Sequence, residues 1–379
     1  MVFKDIADIL SRLEKTVFPL FENLRKEYDC KNYPDLSQTE YSSFFIGNVK
    51  INNPVISAPM AGISDNTYRI FARFFGSSLL YSEMVTSYGL FYKHSKSIEM
   101  THATEFERPF TLQLFGAKPE IVADAASMVE DRAEIIDINM GCPVPKVIKT
   151  GSGGALLKDE ELMKQIVRRA RKSIKKPLTV KLRLGWDFDS VNIERTAMIA
   201  ESEGADAIAV HARTVRQGYS GHADYSHISN LKKKIKIPVI ISGDIHNPFK
   251  ALRLLRNINC EGIMIGRAAR GNPWIFAIIL MGIILSDKKM SDENAADFLK
   301  KFEKDIDYFL NNDIKVKILI LYLKSLILFI GEEKAVKEFR KILGWAFKGI
   351  RNITDIKKDF FKINTFSEAE KVMTGLIGM

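Results

Sequence analysis

From about residue 49 the chain alternates short apolar runs with amphipathic stretches. The runs Pro54–Ala58, Leu79–Ser82, Phe110–Phe115, Ile135–Asn139, Leu178–Leu182, Ala207–His211, Val239–Ser242 and Gly262–Ile265 are rich in Ile, Val and Leu. Such runs predict strands buried on both faces of a parallel sheet. Between them, Pro119–Glu130, Asp159–Ser173, Ile193–Glu203 and Pro248–Asn257 repeat apolar residues at helical spacing and predict covering helices. Eight repeats in roughly 230 residues predict an α/β fold, a (β/α)8 TIM barrel. A doubly wound open sheet would want a glycine fingerprint after its first strand, and that strand runs into Ala58-Pro59-Met60-Ala61-Gly62 instead.

The flanks read differently. Ile6, Leu10, Leu13, Val17 and Leu20 recur at helical spacing, so residues 1–45 are expected to be a helical extension that docks on the main domain. Past residue 275 the strand pattern stops. Helices are expected over roughly Asp292–Asn311, Ile314–Ile330, Glu333–Ile350 and Ser367–Met373. The expected domains are thus 1–45, the barrel at 46–280 and an all-helical C-terminal domain at 281–379.

Composition narrows the class. The net charge of +10 suits an acidic partner such as RNA. Cys30, Cys142 and Cys260 include no CxxC pair, which speaks against a disulfide framework or a metal site and for a reducing cytoplasm. Lys4, Asp5 and Asp8 interrupt the start before any signal-like core. The most apolar run, Ile318–Ile330, carries Lys324 and is shorter than the ~20 residues of a spanning helix, so no membrane partner is expected.

In a barrel of this kind chemistry sits where the strands end. Those ends hold Pro59-Met60-Ala61, Gln113, Asn139 with Cys142, Lys181 with Arg183, His211 with Arg213, Ser242-Gly243-Asp244 and Gly266-Arg267. The fourth run stops at Asn139-Met-Gly-Cys-Pro143, which puts an amide and a thiol together on a tight turn. Taken alone, such a cysteine reads equally well as a small buried hydrophobe. The groups after strands seven and eight, Ser242–Asp244 and Gly266-Arg267, occupy the loops that commonly form a barrel's phosphate site. There glycine admits backbone N–H groups and Arg267 adds a fork of donors. Lys181 and Gln113 could meet the polar edge of a flavin ring, although composition does not separate flavin from other phosphate-bearing groups. Gly151-Ser-Gly-Gly154 lacks the Gly-Lys-Ser/Thr of a P-loop and reads as a flexible turn.

Six motifs then occur in a familiar order: Ala58-Pro-Met-Ala-Gly62, Gln113-Leu-Phe, Asn139-Met-Gly-Cys-Pro143, Val180-Lys-Leu-Arg183, Val210-His-Ala-Arg-Thr214 and Gly266-Arg-Ala. With Lys146 and Lys149-Thr-Gly-Ser-Gly153, the chain from about residue 46 to 375 resembles the tRNA-dihydrouridine synthases, specifically the bacterial DusB-like branch. The resemblance implies reduction of the 5,6 double bond of a tRNA uridine by FMN, with NADPH or NADH as reductant. Hydride would pass to C6 while Cys142 donates a proton to C5 from the opposite face. It implies further that Pro59, Met60, Ala61, Gln113, Lys181, His211, Ser242, Gly243, Asp244, Gly266 and Arg267 hold FMN. Asn139, Arg183 and Arg213 would serve the substrate.

By the same resemblance the helical domain grips tRNA. Arg340, Lys341, Lys348, Arg351, Lys357, Lys358 and Lys362 form a basic run interleaved with Trp345, Phe347 and Phe360. No obligate protein partner is expected. The chain departs from the family at three places. Ser242 stands where Asn is usual, Ile342 and Ala346 replace a His and a Tyr, and the first forty residues are extra. Two other readings are a reductase of a small pyrimidine, as in dihydroorotate dehydrogenases, and a tRNA-binding protein without catalysis. The helical domain and its basic run argue against the first, and Cys142, Lys181 and His211 together argue against the second.

Overall fold

The computed structural model describes residues 2–27, 40–286, 290–347, 358 and 361–377. The chain divides into two compact units, Ser37–Ala268 and a second made of Met1–Leu36 with Ala269–Met379.

The first unit is the barrel. Its strands are β1 (Val55–Ser57), β2 (Leu80–Tyr81), β3 (Phe110–Phe115), β4 (Ile135–Asn139), β5 (Leu178–Arg183), β6 (Ala207–His211), β7 (Val239–Ser242) and β8 (Gly262–Ile265). Each pairs in parallel with the next from β2 onward, with β3 next to β2, and β8 returns to β1 through Ile265 opposite Ser57. A parallel bridge between Ile56 and Leu79 closes the ring beside β2. A short continuation, Val85–Thr86, pairs with Leu114–Phe115 at the far end of β3.

Strand period sets what faces inward. The inward set includes Ile135, Asp137 and Asn139 on β4, with Gln113 opposite Asp137 and Lys181 opposite Asn139. Next to them Arg183 is opposite His211. At the N-terminal end of the strands the interior is apolar. There Ile56, Leu79, Ile135, Ala207 and Ile240 pack with Ile46 and Ile51 of an antiparallel hairpin, Phe44–Ile46 with Val49–Ile51. This hairpin plugs the barrel's lower mouth. Its turn needs Gly47, whose φ is +56° and whose absent Cβ would lie 2.7 Å from Pro177 Cγ. The interior thus runs from oily at the bottom to polar at the top, and the top is where the loops carry chemistry.

In the second unit the helix Asn312–Ile330 lies at the centre, packed against Val2–Glu27, Glu332–Ala346 and Phe366–Thr374. Being covered on several sides explains why it is apolar almost all round. No described helix is long and apolar enough to cross a membrane. Asn311 caps its start by accepting from the Ile314 N–H, and Gly331, at φ +76°, ends it. A further helix, Ile275–Leu285, went unassigned in the sequence because Ile-Phe-Ala-Ile-Ile-Leu-Met-Gly-Ile-Ile-Leu has no polar face to reveal a period.

The docking partner of the first helix is corrected by the structure. Val2–Glu27 buries Ile6, Leu13, Val17, Leu20 and Leu24 against Asn312–Ile330 and Asp292–Phe309 of its own unit, and Lys301 pairs with Glu27. The spacing of its apolar residues predicts a buried face but carries no information about which surface buries it.

Leu13 is fully buried. Leu13→Ala should cost the helical unit about 2–5 kcal/mol. Thermal unfolding of the full chain, followed by circular dichroism, should show the loss as a lowered helical transition; an unchanged transition would mean the helix is not part of that core.

Candidate functional site

The upper rim is built on β4. Its apolar run carries one acid, Asp137, pointing inward and fully buried. Thr179 Oγ1 donates to Asp137 Oδ1 at 2.6 Å, and Gln113 Nε2 donates to Oδ2 at 2.7 Å. Asn139 Nδ2 in turn donates to Gln113 Oε1 at 2.9 Å, and Asn139 Oδ1 accepts the backbone N–H groups of Gly141 at 3.2 Å and Cys142 at 2.9 Å. A carboxylate only accepts, so Asp137 dictates which way both amides point. Burial raises its carboxyl to about 6, against the pull of Thr179, Gln113 and the Lys181 cation. Asp137 and Thr179 were missed in the sequence; the signal available was an acid at an inward position of an otherwise apolar strand.

Cys142 follows on the loop and is 7% exposed. Burial pushes its thiol above the ordinary thiol value, while the Val144 backbone N–H, Arg183 and Lys181 pull the other way. The thiol is therefore protonated at neutral pH. The stretch read as a flexible turn is a packed clasp behind this loop: Ser152, Gly153 and Gly154 are buried, and Gly154 N–H donates to the Cys142 carbonyl at 3.0 Å. Gly153 has φ +60°, and a Cβ there would lie 3.1 Å from Cys142 Cβ. Lys181, on the next strand, has its ammonium lowered to about 8 by burial and by Arg183, opposed by Asp137 and Cys142.

Across the mouth, the ends of β5 to β8 form a cationic cluster. Arg183 Nη1 donates to the carbonyls of Thr214 and Gly218, each at 2.7 Å. Arg213, 1% exposed, donates to the Ser220 and Gly221 carbonyls and, through Nη2, to Asp244 Oδ2 at 2.7 Å. Both arginines thus shape the loop after β6. Tyr219, at the tip of that loop, lies under two guanidinium groups, with Arg183 Cζ 5.4 Å and Arg267 Cζ 5.1 Å from its ring centre. No local pattern marks Tyr219, because its place is set by arginines far away in the chain. Arg267 Nη2 reaches Asp244 Oδ1 at 2.8 Å. Burial would raise the Asp244 carboxyl, but hydrogen bonds from Arg213 and the Ala223 N–H, with both arginine charges, hold it below the usual range. His211 is driven well below the ordinary imidazole value, first by burial and then by Arg183, Lys181, Arg213 and Arg267, so it is neutral.

This side of the mouth fits a phosphate-bearing group on three observations. Arg213 Nη1 is buried with no hydrogen-bond partner. Gly243 has φ +122°, and a Cβ there would lie 3.1 Å from the His211 ring, so only glycine leaves the approach open. Gly266 is the opposite case, with nothing nearer its Cβ position than Ala58 Cβ at 3.5 Å and Met60 sulfur at 3.9 Å. Pro59, Met60 and Ala61 share this rim because β1 adjoins β8, where Ala58 N–H donates to the Ile265 carbonyl at 2.9 Å. Ser242 is buried, and its carbonyl accepts from Ala212 N–H at 2.9 Å.

The basic run of the second unit is only partly available. Arg340 Nη2 donates to the Ile363 carbonyl at 2.8 Å, Lys341 pairs with Glu338, and Phe347 is buried. Trp345 has Arg270 Cζ 5.0 Å from its ring centre. Ile342 is buried, and Ala346 backs onto Gly271, whose Cβ would lie 2.6 Å from Ala346 N. Lys358 and Lys362 are exposed. Lys348, Arg351, Lys357 and Phe360, like Cys30, lie outside the described residues.

Residues 56–376 match the dihydrouridine synthase (Dus) family. A protein of Rickettsia bellii named "Probable tRNA-dihydrouridine synthase" is 36% identical over 317 residues, 82% of this chain and 91% of that one. The tRNA-dihydrouridine synthase B of Pseudomonas syringae pv. tomato is 38% identical over 306 residues, 80% of this chain and 85% of that one. Among solved structures, a 2-naphthoyl-CoA reductase complex superposes with a TM-score of 0.51 at 13% identity, over 65% of this chain and 52% of that one. The chain thus spans about half the length of that reductase, and the likeness is one of fold.

Because folding raises the Asp137 carboxyl from 3.8 to about 6, the folded state holds that proton more tightly than the unfolded state does. Its contribution is complete at low pH and is lost as pH rises toward and through 6, with a slope of at most about 1.4 kcal/mol per pH unit. Asp137→Asn should remove that slope between pH 4 and 6. Urea unfolding of both proteins across this range gives the difference; parallel curves would mean that Asp137 is not the titrating group.

Proposed function

The chain belongs to the dihydrouridine synthase family, and from that premise we propose that it reduces the 5,6 double bond of a uridine in tRNA. FMN is the redox group and a reduced nicotinamide dinucleotide the reductant. The single observation that supports the mechanism best is a buried, protonated Cys142 thiol held over the barrel mouth by a hydrogen-bond chain of fixed direction.

FMN, when bound, would supply the hydride chemistry needed at C6 of the uracil. The residues of this chain do the rest. The backbone at Gly243 and Gly266 and the Arg267 guanidinium would hold the phosphate, with Asp244 fixing Arg213 and Arg267 in place and Arg213 Nη1 as an unused buried donor beside them. Pro59, Met60 and Ala61 would line the cofactor, with Ser242 offering a hydroxyl where the family has an amide. Lys181 and Gln113 would meet the polar edge of the ring, and neutral His211 would add a hydrogen bond without a charge. Asp137 aims the amide of Gln113, and Asn139 holds the Cys142 loop.

Cys142 gives its thiol proton to C5, so that one hydride and one proton together saturate the double bond. The thiolate left behind is stabilised by Arg183 and Lys181, the cations that already act on it, and recovers its proton from water. Arg183 and Arg213 would serve the substrate indirectly, by shaping the loop that carries Tyr219. A uridine must leave the tRNA stack to reach the mouth, and the exposed Lys358 and Lys362 would help the helical unit hold the RNA while it does.

The purified protein should show flavin absorption bands that bleach anaerobically on addition of NADPH or NADH. A colourless protein that FMN does not reconstitute would remove this reading and leave RNA binding without catalysis. Cys142→Ala should bind tRNA as the wild type does and form dihydrouridine about 10²–10⁴-fold more slowly. Unchanged product formation would overturn the acid role.

A further inference from the structure

We propose that the segment Tyr88–His94, on the rim of the barrel mouth, is a platform on which an unpaired base of the RNA substrate stacks; the proposal rests on the tRNA reading above. Its position comes from the sheet. Val85–Thr86 pairs with the last residues of β3, Ser87 Oγ donates to the Phe115 carbonyl at 3.0 Å, and the short helix Ser87–Phe91 starts there. Just before it, Met84 sulfur lies 3.1 Å from Asn139 Nδ2, in the side chain that holds the Cys142 loop. The segment therefore leaves the reaction centre and comes to the surface within a few residues.

What it presents there is a file of flat rings. Tyr88 and Tyr92 have centroids 6.4 Å apart and planes 25° from parallel, and Tyr92 and His94 repeat this at 6.4 Å and 29°. Phe91 stands edge-on to Tyr92 at 5.1 Å and braces it. Tyr92 is 61% and Phe91 38% exposed. Lys93, His94 and Lys96 are exposed beside the rings, and Lys118 Nζ lies 5.9 Å from the Tyr88 ring centre. Among the described residues neither Lys93 nor Lys96 is in an ion pair; the nearest acids in sequence are Glu83, which accepts from the Gly62 N–H, and Glu99, at the end of the helix that carries Lys96.

Nearly parallel rings, half-buried at Tyr88 and exposed at Tyr92 and His94, set beside Lys93, Lys96 and Lys118 match a single-stranded nucleic acid. Each base offers a flat face and each phosphate a negative charge. An apolar protein partner would have no use for the lysines, and an acidic one none for the aligned rings.

The test is binding of the full-length protein to an unmodified tRNA transcript, measured by fluorescence anisotropy over a range of salt. Tyr92→Ala should weaken binding about 5- to 100-fold without changing the slope of log K against log salt. Lys93→Ala should lower that slope by about one. Tyr92→Trp should keep the affinity and show indole quenching when tRNA binds, whereas Tyr92→Leu, apolar but not aromatic, should behave like Tyr92→Ala. Melting temperatures should match the wild type's, since Tyr92 is at the surface. If the wild type binds and Tyr92→Ala binds within twofold of it, or if Tyr92→Leu keeps the affinity, the platform is overturned alone. A wild type that does not bind tRNA overturns the tRNA reading beneath it.

Discussion

Much of the site depends on one buried carboxylate. Asp137 sits in the barrel interior, where an unpartnered charge costs several kcal/mol, and Thr179, Gln113 and the nearby Lys181 offset that cost. Because the carboxylate only accepts, Gln113 must show it an N–H and turn its oxygen to Asn139. Asn139 must then present its own oxygen to the loop, where two backbone N–H groups bind it. The barrel register makes this possible by setting Gln113 opposite Asp137 and Asp137 opposite Thr179. One acid in the middle layer thereby orients a thiol at the rim.

The charges of the mouth form a second layer of the same design. Burial, and then the four cations around it, keep His211 neutral. Asp244, at φ +46°, holds Arg213 and Arg267 side by side. The result is a cationic pocket in which the histidine adds no charge, and in which burial keeps the cysteine's proton against the pull of Arg183 and Lys181. An anionic group is attracted there, and a nearby proton donor is preserved.

The eight strands were legible almost residue by residue. A strand buried on both faces must be an unbroken apolar run, and such runs stand out. The strand ends were legible for the same reason, so Asn139, Cys142, Lys181 and His211 could be picked out together. The plug hairpin was less visible, since its strands are three residues each and bury only alternate positions. Asp137 was within reach but looked like an interruption of the run, because an acid inside a strand has meaning only once its partners on other strands are known.

Local chemistry along the chain determined the barrel, the polar rim, the helical C-terminal region and the cysteine on its turn, because each is written in a run of neighbouring residues. Partnership across distant segments came only with folding. Amphipathic spacing says that the first helix buries one face, and packing alone sets that face on Asn312–Ile330. Gly151–Gly154 has the composition of a loose turn, and becomes a clasp only because Cys142 and Val147 close over it. Tyr219 belongs to the site because Arg183 and Arg267 meet over its ring. Hydrophobic period is a property of one segment, whereas a hydrogen bond or a cation over a ring joins two, and nothing within either segment names the other.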